Sequence, residues 1–547
     1  MKQIRVAGLT FLAALCLWHC TADTANSRPQ TSVVSTEASY RAAHEIVLRA
    51  SDALADEEGQ LPSFAVLGKG RLNLAAQFQG TATEGDTWVE YEESLAYLSD
   101  RGWSGYSQEY QRPDGSRESL RFVYIPPDEM RLVHLVDKFA IHLAGAGFAH
   151  DRRRVARMMP PFLLRGAMDQ RSALRYLGSR RGGQGPVDLV TLPLDGETVT
   201  LLFDQHQGHL SGLEYLADVP LLGDTLISWE FLDWSDTDEL RHPAGYRIRV
   251  GDRMLKEVRY QSVTTTNVEQ APVFQVPAEI PVPSEPRRIE PRSGSLQPRP
   301  SPREVAPGVY FVPNLRTGFH VMFVDLGEEI AAFEAPTGWL ELHQLPASDF
   351  VAGASSGSVS RQYIDLIREA VPGKPIRYLV LSHHHGDHAG GLREFLAAGA
   401  TIVTAADLSG IVRRALQRPH TLDPGAPELT ASDLRLEEFS ASRMLGEGPN
   451  RIELLEFEGN SHAQGMAVMH LPQQGILYVA DLAYAWPAAG RPSAAHLAPT
   501  RGLARWLRQR NLRPQRIYTS HGAAASVSWG DLERVLSEED LAPAGEQ

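Results

Sequence analysis

Cysteine is almost missing from this 547-residue chain: it has two, Cys16 and Cys20, both in the first twenty residues. Lys2 and Arg5 precede an apolar stretch, Ala7 to Trp18, and Cys20-Thr21-Ala22 offers small residues for a cleavage site after Ala22. That is the pattern of an export signal over 1–22, with a periplasmic or secreted protein as its product; lipidation at Cys20 is the alternative. Once the signal is removed, no cysteine remains. Thiol nucleophiles, thiolate metal ligands and disulfide frameworks are then excluded, and a metal site has to come from His, Asp and Glu. Positive charge is also scarce. The formal net charge is -14, which argues against a general nucleic-acid binder. Long apolar runs are the third absence: the first one is too short for an ordinary span and no later one is long enough.

What is present divides at a proline-rich stretch. The chain is too long for a single core, so two or three domains are expected. Residues 23–35 are polar and small. Thr36–Ala55 has helical spacing, with Tyr40, Ala43, Ile46, Val47, Ala50 and Leu54 on one side. From Phe64 to Val276 strand signals dominate. In 246–263, Tyr246, Ile248 and Val250 alternate with Arg247 and Arg249, Gly251-Asp252 makes a turn, and Val258 and Tyr260 resume the alternation, a hairpin with one wet face. "HDRRRVARMM" and "PPFLLRGAMDQRSALRYLG" read as helical. The expectation for 36–280 is an α+β domain with a curved antiparallel sheet. It resembles, in architecture alone, the open half-barrels of periplasmic lipoprotein carriers, which implies an apolar ligand or partner for this domain. The runs Arg152–Arg154 and Arg180-Arg181 are read as solvated surface rather than an anion site.

Residues 281–304 hold seven prolines among Arg, Ser and Glu, a composition that suits a semi-rigid spacer. After it, "GVYFVP", "HVMFVD" and "IAAFEAP" read as strands, followed by alternating helices and strands. Helices are expected at 358–371, 389–398 and over "AADLSGIVRRALQ", and one capped by Thr500. Strands are expected at 376–382, 401–404, 451–457, 466–471, 475–480 and 516–520. The expectation for 305–547 is a layered α/β domain.

The chemistry concentrates in "LSHHHGDHAGG". His383-x-His385-x-Asp387-His388 follows a buried strand and precedes a helix, where ligand sites of α/β folds gather. Alternate residues leaving a strand point one way, so His383 and His385 can chelate one ion, and Gly386 lets Asp387 and His388 turn to a neighbouring position. Imidazole and carboxylate donors suit zinc, with iron or manganese as alternatives. His462 in "GNSHAQG", Asp481 in "VADLA" and His521 in "TSHG" each sit after an apolar strand. His320, His343, His420, His470 and His496 are read as surface or satisfied core residues.

On these residues the domain from Arg303 to His521 resembles the metallo-β-lactamase-fold hydrolases. The H-x-H-x-D-H loop and the later His, Asp and His match that superfamily's ligand segments in order. The resemblance implies an αββα sandwich and two Zn²⁺ ions. His383, His385 and His462 would hold one ion and Asp387, His388 and His521 the other, with Asp481 bridging. His384 would be a bystander. Glu334 stands where many members carry an aspartate that supports the ligand loop. Two nearby cations lower the pKa of a shared water, which gives a hydroxide for attack on an acyl centre. Asp387 would be the catalytic residue, orienting that nucleophile.

The implied activity is hydrolysis of an ester, lactone, thioester or related bond in a small molecule. An aspartate at 481 departs from true β-lactamases, His385 departs from flavodiiron proteins, and His462 departs from alkylsulfatases. The short tail after His521 departs from glyoxalase II. Two alternatives stand: an iron-dependent oxidoreductase like the persulfide dioxygenases, or a binding protein with a residual metal site. Tyr484, Trp486 and Trp339 are the aromatic residues nearest the ligand segments, and packing is their default reading.

Overall fold

The computed structural model describes residues 35–540 apart from 53–60, 75–86, 114, 146–158, 195–196, 237–239, 289–299, 317–318, 338, 341–344, 347–356, 461, 487–491, 493–495 and 523–525. The export signal, Arg152–Arg154 and His343 lie outside those residues. No helix among the described residues is long and apolar enough to cross a membrane.

The first region is built on one 14-stranded sheet. Counted along the sheet, it runs from Arg287–Arg288 and Phe139–Ala144 through Phe64–Asn73 to Arg175–Arg181 at the far edge. Neighbours are antiparallel except Arg287–Arg288, which pairs parallel with Phe139–Ala144. The expected hairpin is present: Arg241–Val250 and Arg253–Thr264 are joined across Gly251-Asp252. A helix, Thr36–Asp52, buries Ala43, Val47 and Ala50, and Ser39 Oγ donates to Tyr176 O at 2.9 Å. One expected helix is shorter than its sequence suggests. It covers Pro160–Asp169, and Arg175–Arg181 is a strand paired with Pro186–Leu194. The propensity of "RSALRY" for helix is overridden by the sheet edge it completes. Residues just before 289 lie against this sheet: Ile280 is buried, and Pro283 O is 3.1 Å from His142 Nδ1.

The second region has two sheets. A seven-stranded sheet orders Arg303–Ala306, Val309–Arg316, Phe319–Asp325, Ile330–Phe333, Ile376–Val380, Thr401–Ala405 and Leu436–Phe439, antiparallel to Ile330–Phe333 and parallel from there on. A six-stranded sheet orders Ser442–Leu445, Ile452–Glu456, Ala467–Leu471, Ile476–Tyr478, Arg516–Tyr518 and Ser526–Val527. Side chains alternate across each strand. Met322 and Val324 face the core between the sheets, with Leu454, Met469 and Tyr478 opposite. Val321 and Phe323 face outward, where Tyr363, Ile367 and Phe395 cover them. Leu503, Leu507, Leu532 and Val535 cover the other sheet. The result is the expected αββα sandwich. Helix 497–509 begins before Thr500, whose Oγ1 donates back to His496 O at 2.7 Å, so Thr500 is an interior residue rather than a cap. Trp529–Asp540 adds a helix after His521.

The two regions meet at the turn after Leu210–Val219. Leu221, at a φ of 65°, is buried in the same apolar cluster as Phe319 and Leu392. Asp218 Oδ1 lies 2.6 Å from His420 Nδ1. Asp224 accepts from Thr421 N and Leu422 N at 2.9 and 3.1 Å, and its own N–H donates to Pro419 O.

Candidate metal centre

The site sits on one edge of the sandwich, where both sheets end. Ile376–Val380 delivers the loop 381–388, Ile476–Tyr478 delivers Asp481, and Arg516–Tyr518 delivers His521. His462 comes from the loop between Ile452–Glu456 and Ala467–Leu471. The edge is tied together by backbone: His320 N donates to Ser520 O at 2.7 Å, Phe319 bridges to His521, and Ala467 N donates to Ser382 O. Asn460 Oδ1 accepts from the backbone N–H of both His462 and Ala463 at 2.9 Å, which folds that loop inward. Two non-glycine residues beside the ligand segments hold left-handed backbone, Glu334 at a φ of 69° and Ala480 at 47°. Strain of this kind persists where surrounding structure enforces it, and it clusters at functional sites.

Two groups of donor atoms result. His383, His385, His462 and Asp481 each bring one within 4.8 Å of the others, and so do Asp387, His388, Asp481 and His521. The sequence-derived residues therefore come together, with Asp481 common to both groups. His384 belongs to neither. His383 Nε2 and His462 Nε2 are 3.2 Å apart. His388 Nε2 lies 3.2 Å from Asp387 Oδ2 and from Asp481 Oδ1, and His521 Nε2 lies 3.1 Å from Asp387 Oδ2.

These donors fit cations by their chemistry. Facing imidazole lone pairs repel unless a proton or a metal lies between them. Burial of about that completeness is also costly without a partner. Yet Asp481 Oδ1, in a residue only 2% exposed, makes no hydrogen bond among the described residues. Outer contacts fix the rings. Ser382 Oγ is 2.8 Å from His383 Nδ1, and Glu334 Oε2 is 3.6 Å from His388 Nδ1, so each ring turns Nε2 toward the cluster. Glu334 thus reaches the ligand loop despite its extra methylene.

Charge follows the same division. Burial, reinforced by neighbouring imidazoles, holds His383 and His385 well below the ordinary histidine range. Burial pushes His462 down to about 4. Burial opposes charge on His388 too, but the carboxylates of Asp387, Asp481 and Glu334 overcome it and hold its pKa well above the usual range. Burial works to raise Asp481, yet His388, His521 and His462 together hold it below the ordinary carboxylate range. The three imidazoles of the first donor group are therefore neutral, ready to bind metal without losing protons.

Of the other residues, Tyr484 borders the site: its hydroxyl donates to Asp481 Oδ2 at 3.3 Å and its ring stacks on His521. Trp486 is buried in the apolar cluster around the six-stranded sheet. The side chain of Trp339 lies outside the described residues. His320 and His470 are satisfied, by Gly522 O and Glu453. His420 meets Asp218 through Nδ1 at the junction of the two regions, while its buried Nε2 makes no hydrogen bond among the described residues. His496 is different. It stacks on Tyr484 with ring centroids 3.6 Å apart, and burial pushes it down to about 3. Nothing in the sequence near His496 marks it, because its partner lies in another segment.

Comparisons with known proteins bear on this region. The family model described as "Metallo-beta-lactamase superfamily" matches residues 353–521. Among solved structures, a metallo-beta-lactamase from Pontibacter korlensis is 20% identical, with 44% of this chain and 97% of that chain covered and a TM-score of 0.31. The metallo-beta-lactamase FIM-1 from Pseudomonas aeruginosa, in its mono-zinc form, is 18% identical over 45% of this chain and 97% of that one, with a TM-score of 0.31. A double mutant of the sec-alkyl sulfatase PisA1 is 17% identical over 44% and 41%, with a TM-score of 0.30. No curated protein matches the chain. The family model touches no residue before 353, so the likeness of the first region to lipoprotein carriers gains no support from it.

Proposed function

From the metallo-β-lactamase fold of the second region, we propose that the protein is a dinuclear metal-dependent hydrolase of a small ester, lactone or thioester. The observation that carries the reading is the pair of donor groups sharing Asp481. His383, His385 and His462 would hold one metal, Asp387, His388 and His521 the other, and Asp481 both. When bound, the two ions would supply Lewis acidity and a water acidified toward neutral pH. Zinc is proposed from the absence of thiolate and the prevalence of imidazole, with iron and manganese next.

The chain's own residues do the rest. Asp387, 1% exposed and within 3.2 Å of two imidazoles, would orient a nucleophilic water by accepting a hydrogen bond from it. Glu334 and Ser382 hold His388 and His383 in one tautomer. Tyr484 offers a hydroxyl beside the shared carboxylate, where it can steady a leaving group or the carboxylate itself.

The same proposal includes export, which predicts a mature N-terminus at Asp23. It also includes a division into domains over 36–280 and 305–547, supported by the absence of a strand shared between the sheets of the two regions among the described residues. Metal analysis of purified protein, paired with a panel of esters, lactones and thioesters, tests the reading. About two zinc ions per chain and turnover lost in Asp387→Ala would support it. A single iron with oxygen uptake would replace it with the oxidoreductase. Full metal occupancy and no turnover across the panel would favour a binding protein.

A further inference from the structure

Asp387 and His388 ride on a helix of four residues, Gly386–Ala389, with Gly390 and Gly391 after it. So short a helix makes too few hydrogen bonds of its own to hold a shape, and the glycines around it add backbone freedom. Its neighbours must therefore position it. Some belong to the second region: Ala335 N donates to His388 O at 2.7 Å, and Gly391 N donates to Ala335 O at 2.9 Å. Another comes from the first region. Pro220 is buried, and a methyl group added at Gly390 would come within 2.9 Å of its Cβ.

Pro220 belongs to the turn between strands Leu210–Val219 and Gly223–Asp236, which is closed by Leu222 N donating to Val219 O at 3.0 Å. The turn is fastened to the second region on both sides of Pro220-Leu221. Asp218 meets His420 before it. After it, Asp224 accepts from Thr421 N and Leu422 N and donates through its own N–H to Pro419 O at 2.8 Å. Gly223 runs so close to that carbonyl that a methyl group on it would collide with Pro419 O. Leu221 itself, 4% exposed, joins the apolar cluster of Phe319 and Leu392, and the Phe319 ring packs on both His388 and His521 with centroids 5.0 Å apart. Left-handed backbone is unusual for a leucine and persists where surrounding contacts enforce it. The other donor group is held from within the second region, where Ser382 fixes His383 and Asn460 folds the His462 loop inward.

We propose that the turn Val219–Asp224 is a strut for one half of the metal centre. It braces the short helix so that Asp387 and His388 meet His521, and it leaves the half built from His383, His385 and His462 to the second region. Metal donors work only when held within about half an ångström of their geometry, so the support behind them sets affinity. Pro220, Leu221 and Asp224 are positioning residues and not donors. The inference rests on the dinuclear reading and deepens it, because it gives the first region a task in metal binding.

The test reads zinc affinity one site at a time in the full-length, metal-free protein, by competition with a chromophoric chelator. His462→Ala keeps the donor group of Asp387, His388 and His521, and His521→Ala keeps that of His383, His385 and His462. Leu221→Gly removes the apolar anchor and relaxes the backbone. It should weaken zinc binding at least about tenfold in the His462→Ala background, as when an outer support of a metal donor is lost, and less than about threefold in the His521→Ala background. Asp224→Ala unfastens the turn at a separate point. It should do the same, and it carries the test if Leu221→Gly does not fold. Leu216→Ala, at an exposed position of the same hairpin, should change neither affinity. Weakening of equal size in both backgrounds, or in neither, would overturn the inference, since a purely structural role lowers folding stability without choosing between sites. If the wild-type chain binds fewer than two zinc ions, the dinuclear reading is what has failed, and hydrogen exchange in the metal-free chain then decides the strut. Faster exchange at 386–391 in Asp224→Ala, with 381–385 unchanged, supports it, and an equal change in both segments overturns it.

Discussion

Both regions bury charged and polar side chains, and they settle them in opposite ways. In the first region the group is nearly closed. Lys256 donates to Tyr91 and Tyr106, Tyr246 donates to Glu93 Oε2 at 2.6 Å, and Glu93 lies 3.8 Å from Lys256, leaving only Glu93 Oε1 over. In the second region the buried groups converge and stay open. Asp481 Oδ1 and His388 Nε2 lie 3.2 Å apart, and neither makes a hydrogen bond among the described residues. Donors that satisfy one another hold a fold together. Buried groups that converge without satisfying one another hold a place for a cation.

Substitutions at the centre of each group should separate these roles. Asp481→Ala removes the one donor common to both metal groups. It should lower bound metal below two per chain and cut ester hydrolysis by at least about a hundredfold, a loss that outer partners of metal sites already approach. Elemental analysis with turnover reads both. Lys256→Met should do the reverse. It strands Glu93 in a buried position, which costs about 3–5 kcal/mol when one partner of a buried pair is removed. Denaturant unfolding should show that loss while metal content stays unchanged. If Lys256→Met also emptied the metal site, the contrast between the regions would fail. Glu334→Gln lies between these extremes: metal affinity should drop by about 10–100-fold, as expected for an outer-sphere carboxylate, with little change in unfolding of the metal-free protein.

The two regions also differ in how far their sequences could be read. The metal donors were legible because each follows an apolar strand, and strand ends in a layered α/β fold share an edge. The strands of the sandwich were legible for the same reason, being short, apolar and bounded by turns. Some short edge strands, such as Ser442–Leu445 with exposed Met444, carry too little apolar pattern to be seen. The first region was legible as an antiparallel sheet, and its extent to 14 strands was not, because register between distant strands leaves no local mark. Arg175–Arg181 shows the cost, a strand whose composition favours helix. His496 was illegible for a further reason: its ring stacks on Tyr484, twelve positions earlier, a pairing that no helix or strand period marks.

Acid should divide the regions by the smallest effect. In the metal-free protein His462 stays neutral until about pH 4 and His496 until about pH 3, whereas in the unfolded chain both take up protons near 6.5. Between those values the unfolded chain holds more protons, so the second region loses stability as pH falls from 6.5 toward 4, by up to about 1.4 kcal/mol per pH unit for each group. His388 does not offset this. Its raised pKa contributes stability that is fully present below 6.5 and is lost only as pH rises above that value. Glu93 in the first region runs the other way. Burial raises its pKa from 4.5, so the folded state binds the extra proton and acid favours it just above that pH. Region-resolved hydrogen exchange between pH 7 and 4.5, corrected for the intrinsic chemical rate, should show protection falling around His462 and His496 and holding around Glu93. His496→Phe should remove part of the fall. Equal losses in both regions would mean that acid acts through the interface at Asp218 and His420 instead.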